Sequence, residues 1–235
     1  RRWLCESNPK LSELIESLIG DKFIKNASWL ENLEKFVDDD SVIKKIKNIK
    51  LKNKEEFAKF LYEKQGIKID PTTRFDVQAK RIHEYKRQLL NVLHIIYLYS
   101  VLKENPDADI TPQTFIFAGK AASGYRRAKE IIYLINQLAL EIDKDEKVSK
   151  KLKIVFVENY SVTVAEKLMP ATDVSEQISL AGQEASGTGN MKAVLNGALM
   201  LCTPDGANIE ISDVCGKDSS FMFGMTAEDV ANTWK

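Results

Sequence analysis

The chain has 235 residues, with 34 Lys and Arg against 34 Asp and Glu, so its formal net charge is zero. No global field favours nucleic acid or a membrane surface, and no run of about 18 apolar residues or leader-like opening points to a span or to export. Three scattered cysteines, Cys5, Cys202 and Cys215, with no CxxC pair, exclude a disulfide framework, leave no expected metal site and make a reducing cytoplasm the expected compartment.

In chain order, residues 8–66 read as helical. Asn8 and Pro9 supply an N-cap and a first-turn signal; Leu11, Leu14, Ile15 and Leu18 form an apolar stripe that Gly20 closes. Asp38, Asp39 and Asp40 open a longer helix carrying Val42, Ile46, Ile49, Phe57, Phe60 and Leu61, with Gly66 as its end. A further helix is expected near 81–103, carrying Leu89, Leu90, Leu93, Ile96 and Tyr97 and stopped by Asn105-Pro106. From about 114 the pattern alternates. Residues 114–118, 152–157 and 199–202 read as buried strands, with helices following 124, around 162–169 and after the run at 182–192. Strand, glycine turn and helix in repetition predict a doubly wound α/β fold, a Rossmann-like parallel sheet with a helical N-terminal stretch. Gly119, Asn159-Tyr160 and Pro204-Asp205-Gly206 all follow expected strands, so they are placed along one carboxyl-edge crevice. The opening Arg1-Arg2-Trp3-Leu4 and the end at Trp234-Lys235 read as those of a piece of a longer polypeptide.

The densest chemistry lies in Gly182-Gln183-Glu184-Ala185-Ser186-Gly187-Thr188-Gly189-Asn190-Met191-Lys192. Glycines let backbone N–H groups converge on an anion, and a helix starting there adds its positive end. The spacing is neither a Walker loop nor a dinucleotide fingerprint, so the expected ligand is phosphorylated but not simply ATP or NAD. A lysine beside such a site suits Schiff-base chemistry with an aldehyde cofactor. The bland alternative is a tight turn with a solvated lysine.

A second cluster runs from Phe75 to Gln88. Lys80, Arg81, Lys86 and Arg87 bracket the expected helix start, where cations are unfavourable unless an anion offsets them. A solvated basic face with a Lys80–Glu84 pair explains them equally well. His83 reads as structural rather than as a general base. The third, Gly119-Lys120-Ala121-Ala122-Ser123-Gly124-Tyr125-Arg126-Arg127, is as readily a packing turn as a binding loop.

The stretches EASGTGNMK, RFDVQAKRIHEYKRQLLN, GKAASGY, SEQIS, DGANIE and FMFGMTAEDV, with RRWL at the start, occur here in one order. Together they resemble the glycogen, starch and maltodextrin (α-glucan) phosphorylases, and the resemblance covers essentially the whole chain. It implies the C-terminal half of a two-domain, B-type glycosyltransferase architecture. On that reading residues 1–112 are a mostly helical lead-in that includes a phosphate-site helix. Residues 113–235 are the Rossmann-like, cofactor-binding part. The N-terminal domain across the cleft and the final C-terminal helices are absent.

The resemblance also implies roles. Lys192 would carry pyridoxal 5'-phosphate, whose phosphate group serves the family as acid/base partner. Thr188, Gly189 and Lys80 would hold that phosphate, and Tyr160 would pack beside it. Arg81 would bind substrate phosphate, and Lys86 would lie between the two anions. Glu184, Ser186, Gly187 and Tyr85 would line the glucosyl side, and Tyr125 would form the rim where planar inhibitors bind. The implied reaction converts an α-1,4-glucan and inorganic phosphate into glucose 1-phosphate, in a parent that is usually a homodimer. Ser161 departs from the arginine of animal members, so animal-type details do not carry over. Two other readings remain open from the residues: a nucleotide-sugar glycosyltransferase of the same architecture, and a non-catalytic fragment that binds pyridoxal phosphate or glucan. The chain alone is expected to be inactive, because catalysis needs groups from both sides of the cleft.

Overall fold

A computed structural model describes residues 1–216 and 219–233; Lys217, Asp218, Trp234 and Lys235 lie outside the described residues. The lead-in begins with α1 (Arg2–Ser7) and α2 (Pro9–Ile19), followed by 3-10 turns at Asp21–Ile24 and Ala27–Phe36 and the long α3 (Asp40–Gln65). The expected punctuation is in place. The Asn8 side chain caps α2 by accepting from Leu11 N–H with Pro9 in the first turn, Asp39 caps α3, and Gly66 ends it in the left-handed region at φ 71°.

The sheet consists of β1 (Arg74–Ala79), β2 (Gln113–Ala118), β3 (Leu152–Val157), β4 (Val174–Gln177), β5 (Leu199–Cys202) and β6 (Ser220–Met222). All pairings are parallel, in the order β3-β2-β1-β4-β5-β6. Between them lie α4 (Gln88–Glu104), α5 (Arg126–Lys144), α6 (Val162–Ala171), α7 (Gly189–Leu195) and α8 (Ala207–Cys215), with α9 (Ala227–Thr233) after β6. The fold is α/β and doubly wound, as the alternation predicts.

Two cores sandwich β1–β3. On one face α3 and α6 pack Phe57, Leu61, Val164 and Leu168 against Phe75, Val77, Ile116 and Val155. On the other, α4 and α5 pack Val92, Ile95, Ile131 and Ile135 against Phe115, Phe117 and Ile154. Burial of both faces is what a parallel sheet requires, and each fully buried Phe or Leu contributes about 1.5–3 kcal/mol.

The structure corrects three sequence expectations. First, β1 and β4 are strands that apolar periodicity misses, because Asp76, Gln78, Ser175, Glu176 and Gln177 are buried polar residues in their middles. The short β6 is a further strand not expected from the pattern. Second, the helix expected from 81 starts at Gln88; residues 80–83 form a loop after β1, and Lys86 ends a 3-10 turn. There is thus no phosphate-site helix at 80–87, and β1 belongs to the sheet although it lies in the lead-in. Third, α4 is rotated from the expected stripe. Its buried side presents Gln88, Asn91, Val92, Ile95, Leu98 and Leu102, while Leu89, Leu90, Leu93 and Tyr97 are exposed.

The polar middles of β1 and β4 are held by one another. Glu176 and Asp76 share a side-chain hydrogen bond; burial pushes Asp76 from 3.8 to about 7, and burial together with the neighbouring Asp76 carboxylate pushes Glu176 well above the usual carboxylate range. Asn91 of α4 reaches the same layer and donates to Gln78 Oε1 at 3.2 Å.

A raised folded-state pKa means that the pair stabilises the fold most below the unfolded carboxylate value. That stabilisation is lost as pH rises through the folded value. Urea unfolding at several pH values should therefore show stability falling between about pH 4 and 7, by an amount on the order of a few kcal/mol. Glu176→Gln should flatten that slope. An equal slope in the variant would remove the pair as its cause.

Candidate functional site

The strand order reverses between β1 and β4, so loops leaving their carboxyl ends diverge and open a crevice, the usual ligand position in such sheets. Lys80 follows β1 directly. Gly119, just after β2, approaches it so closely that a Cβ there would collide with the Lys80 carbonyl oxygen. The 182–192 run lies on the other side of the crevice, between β4 and β5, with Lys192 on α7.

A buried carboxylate shapes that run. Asp205 accepts from Ser179 Oγ at 2.8 Å and from the Gly182 and Glu184 N–H groups at 2.9 Å each. Gly206, at φ 51°, lets the loop after β5 pass beneath, where a Cβ would strike the Glu184 and Ser186 carbonyl oxygens. Asn208 extends the support: its Nδ2 donates to the Gln177 and Thr203 carbonyls, and its Oδ1 accepts from buried Asn190 at 2.9 Å. Sequence reading placed Asp205 along the crevice, but not as the organiser of the loop.

Lys80 and Lys192 stand on the two elements that border this crevice, the loop after β1 and α7. The Lys192 ammonium lies over the Trp3 ring, 5.1 Å from its centroid, and Trp3 packs with the Ala165, Met169 and Ala193 cluster that also touches Tyr160. The indole N–H of Trp3 is buried without a hydrogen-bond partner among the described residues. Burial lowers the Lys80 pKa to about 8, against the opposing pull of the Glu184 carboxylate. Thr188 stands at the N-cap of α7 without using its hydroxyl in a cap bond, and Gly189 is the first helical residue. The crevice thus offers hydroxyl and backbone donors at the start of α7, a cation from Lys80 and an amine over an aromatic wall. They fit a phosphorylated aromatic aldehyde.

Lys86 is salt-bridged to Glu184, and its ammonium also lies over the Tyr85 ring at 4.6 Å. The carboxylate joins the 3-10 turn to the signature loop and holds the Lys86 pKa up against the burial that lowers it. Ser186 and Gly187 continue the loop, and the Ser186 carbonyl accepts from Ala207 N–H at 3.3 Å. Arg81 is exposed, with no partner for its guanidinium among the described residues. Tyr160 is half-buried, and its hydroxyl pKa is raised by that burial.

Other expected members stand apart. Tyr125 donates to Glu84 at 2.6 Å and stacks on His83 at 4.8 Å, while Arg127 pairs with the same carboxylate at 2.5 Å. This exposed cluster forms a rim, and the expected Lys80–Glu84 pair is replaced by these contacts. Arg87 contributes no charge to an anion site, since its guanidinium donates to the Ile178 and Ser179 carbonyls at 2.7 and 3.3 Å. A concavity of about 630 Å³ lies at the opposite edge of the sheet, lined by Lys68, Asp70, Gln113 and Lys151 among others, and holds none of these groups.

Trp3 is the site residue that sequence chemistry missed; a tryptophan in an amphipathic helix signals packing rather than a ligand wall. What places it is a polar network. Asn8 Nδ2 donates to Asn196 Oδ1 and Asn53 to Asn8 Oδ1, while Lys50 donates to the Asn196 carbonyl at 2.9 Å. Asn196 in turn donates to the Lys192 carbonyl at 2.8 Å, so the lead-in helices clamp the end of α7.

Asp205→Asn places a donor against the amides that the carboxylate serves. It should cost about 2–3 kcal/mol in thermal or urea unfolding and speed hydrogen exchange at Gly182 and Glu184. Unchanged exchange at both amides would show that Asp205 does not hold the loop.

The family model for carbohydrate phosphorylases, described as "Carbohydrate phosphorylase", matches residues 1–235. The chain is 52% identical over 231 residues to the liver form of glycogen phosphorylase from Bos taurus, covering 98% of this chain and 27% of that protein. It is 52% identical over 230 residues to glycogen phosphorylase from Pasteurella multocida and 50% identical over 230 to that from Chlamydia pneumoniae, again with 98% of this chain and 28% of each relative. The chain thus spans little more than a quarter of these relatives' length, and it belongs to the carbohydrate phosphorylase family.

Proposed function

We propose that this chain is the cofactor-bearing part of an α-glucan phosphorylase, most of its C-terminal domain. In the intact protein, inorganic phosphate would release glucose 1-phosphate from an α-1,4-glucan. One observation carries the reading: Lys192, on α7, lies over Trp3, and that helix opens at Thr188 and Gly189 beside the Ala79 carbonyl, from which Lys80 follows directly. Residues that suit pyridoxal 5'-phosphate are thereby gathered from three separated parts of the chain.

In this reading Lys192 anchors the cofactor covalently and Trp3 and Tyr160 wall its ring. Thr188, Gly189 and Lys80 hold its phosphate. When bound, that phosphate supplies a group that exchanges a proton with substrate phosphate near neutral pH. Phosphates in contact repel, so cations must hold them together. Lys86, fixed by Glu184, stands between the cofactor phosphate and Arg81, whose free guanidinium offers substrate phosphate a bidentate fork. Ser186, Gly187, Glu184 and Tyr85 line the glucosyl side, and Tyr125 forms the rim. The intact protein is placed in the cytoplasm as a homodimer, with its own N-terminal domain closing the cleft. The 235-residue chain alone would release no glucose 1-phosphate.

Two outcomes test this. Borohydride reduction in the presence of pyridoxal 5'-phosphate, followed by peptide mapping, should leave a pyridoxyl group on Lys192 and none in Lys192→Ala; an adduct on other lysines only would sink the anchor assignment. Lys80 is mostly protonated below its value of about 8. Affinity for pyridoxine 5'-phosphate, which lacks the aldehyde, should therefore fall several-fold as pH rises from 7 to 9. Lys80→Gln should bind weakly throughout with a flatter profile, and an unchanged profile would exclude Lys80 from the phosphate subsite.

A further inference from the structure

At seven residues, α7 is too short to hold its own position, so what it is tied to decides where Lys192 stands. Its two ends are tied separately. The first turn, beside Thr188 and Gly189, is held by Asn190, whose side chain donates to Asn208 of α8 at 2.9 Å. Lys192 stands on the last turn, and there the tie is different. Asn196, the residue that ends the helix, donates its side-chain amide to the Lys192 carbonyl at 2.8 Å, and its own carbonyl accepts from the Lys50 ammonium at 2.9 Å.

Lys50 comes from the middle of α3 and joins two helices at once. Its ammonium also donates to the carbonyl of Thr172, the residue that ends α6, at 2.6 Å. A cation suits both positions, since the carboxyl end of a helix presents unpaired carbonyls and partial negative charge. Burial lowers the Lys50 pKa to about 8 against the pull of the Asp173 carboxylate, so the group is mostly charged at neutral pH. The same Asn196 reaches the aromatic wall. Its Oδ1 accepts from Asn8 at 2.9 Å; Asn8, buried like Asn196, closes α1 through its N–H on the Leu4 carbonyl, and α1 carries Trp3. One side chain thus bonds both to the backbone of Lys192 and to the residue that ends the helix of Trp3.

We infer that Lys50 and Asn196 are positioning residues for Lys192: they fix the carboxyl end of α7, and with it the place of the Lys192 amine against Trp3. A network that only stabilised the fold would let both ends of α7 respond together when it is broken. The geometry makes them respond apart, because Asn190 holds the phosphate end without help from Lys50 or Asn196. This inference rests on the cofactor reading above and goes beyond it, by separating the residues that set the amine from those that bind the phosphate.

The test uses the full-length protein freed of cofactor, with Lys50→Met and Asn196→Ala made separately. Two quantities are read on each. One is the affinity for pyridoxine 5'-phosphate, which engages the phosphate end and has no aldehyde. The other is the rate of borohydride trapping of pyridoxal 5'-phosphate on Lys192 at saturating ligand, with the adduct located by peptide mapping. In both variants affinity should stay within about twofold of the unsubstituted protein while the trapping rate falls about tenfold or more, the effect of displacing a reacting amine by up to about 1 Å. Should Lys50→Met fail to fold, Asn196→Ala, which removes no bond made by Lys50, carries the same expectation. An unchanged trapping rate would overturn the inference. So would a parallel loss of affinity and rate, the mark of a pocket loosened as a whole. If the unsubstituted protein itself took no adduct at Lys192, the anchor assignment would be refuted first, and the clamp with it.

Discussion

The contact between β1 and β4 is the one on which the rest of this molecule depends. It is short, pairing Asp76 with Val174 and Val77 with Ser175, yet it is where strand order reverses. β1 is followed by α4 on one face of the sheet and β4 by α7, which packs with α6 on the other, so the loops at this junction must part. The crevice that receives Lys80 from one side and the signature loop from the other is a consequence of that divergence. The junction is itself polar, with Glu176 hydrogen-bonded to Asp76 and the pKa values of both raised by burial. A mismatched register would leave these groups buried alone, which gives the pairing strong specificity.

Around the crevice, support and chemistry are carried by different residues. Asp205, Asn208, Asn190 and Asn196 are buried and fully engaged in hydrogen bonds to backbone or to each other. Among the described residues Lys192, Arg81 and Thr188 have no comparable side-chain hydrogen-bond partners, so their donors remain available to a ligand. The N-terminal helices belong to the support. They deliver Trp3 to the wall beside Lys192, and through Asn8 and Lys50 they hold the carboxyl end of α7. A site assembled this way tolerates open loops because the elements beneath them are rigid.

Much of this was legible in the residues. Capping at Asn8 and Asp39, the stops at Gly66 and Asn105, and the strands at β2, β3 and β5 all follow from local chemistry that needs no partner. β1 and β4 were illegible for a physical reason. Asp76, Gln78 and Glu176 read as solvent-facing until each is given the others to bond with, and those partners lie far away in sequence. The orientation of α4 failed in the same way. A helix apolar on every side has no preferred face of its own, so the sheet beneath it made the choice.

By itself the sequence determined the α/β class and the family motifs, because glycine turns, caps and charged side chains act over a few residues. Only the tertiary structure decided that Arg87 serves carbonyl oxygens while Lys86 serves Glu184, that Tyr125 bonds Glu84 and that Lys192 lies over Trp3. Those distinctions turn on which donors find acceptors across the fold, and burial settles that competition only when distant segments meet.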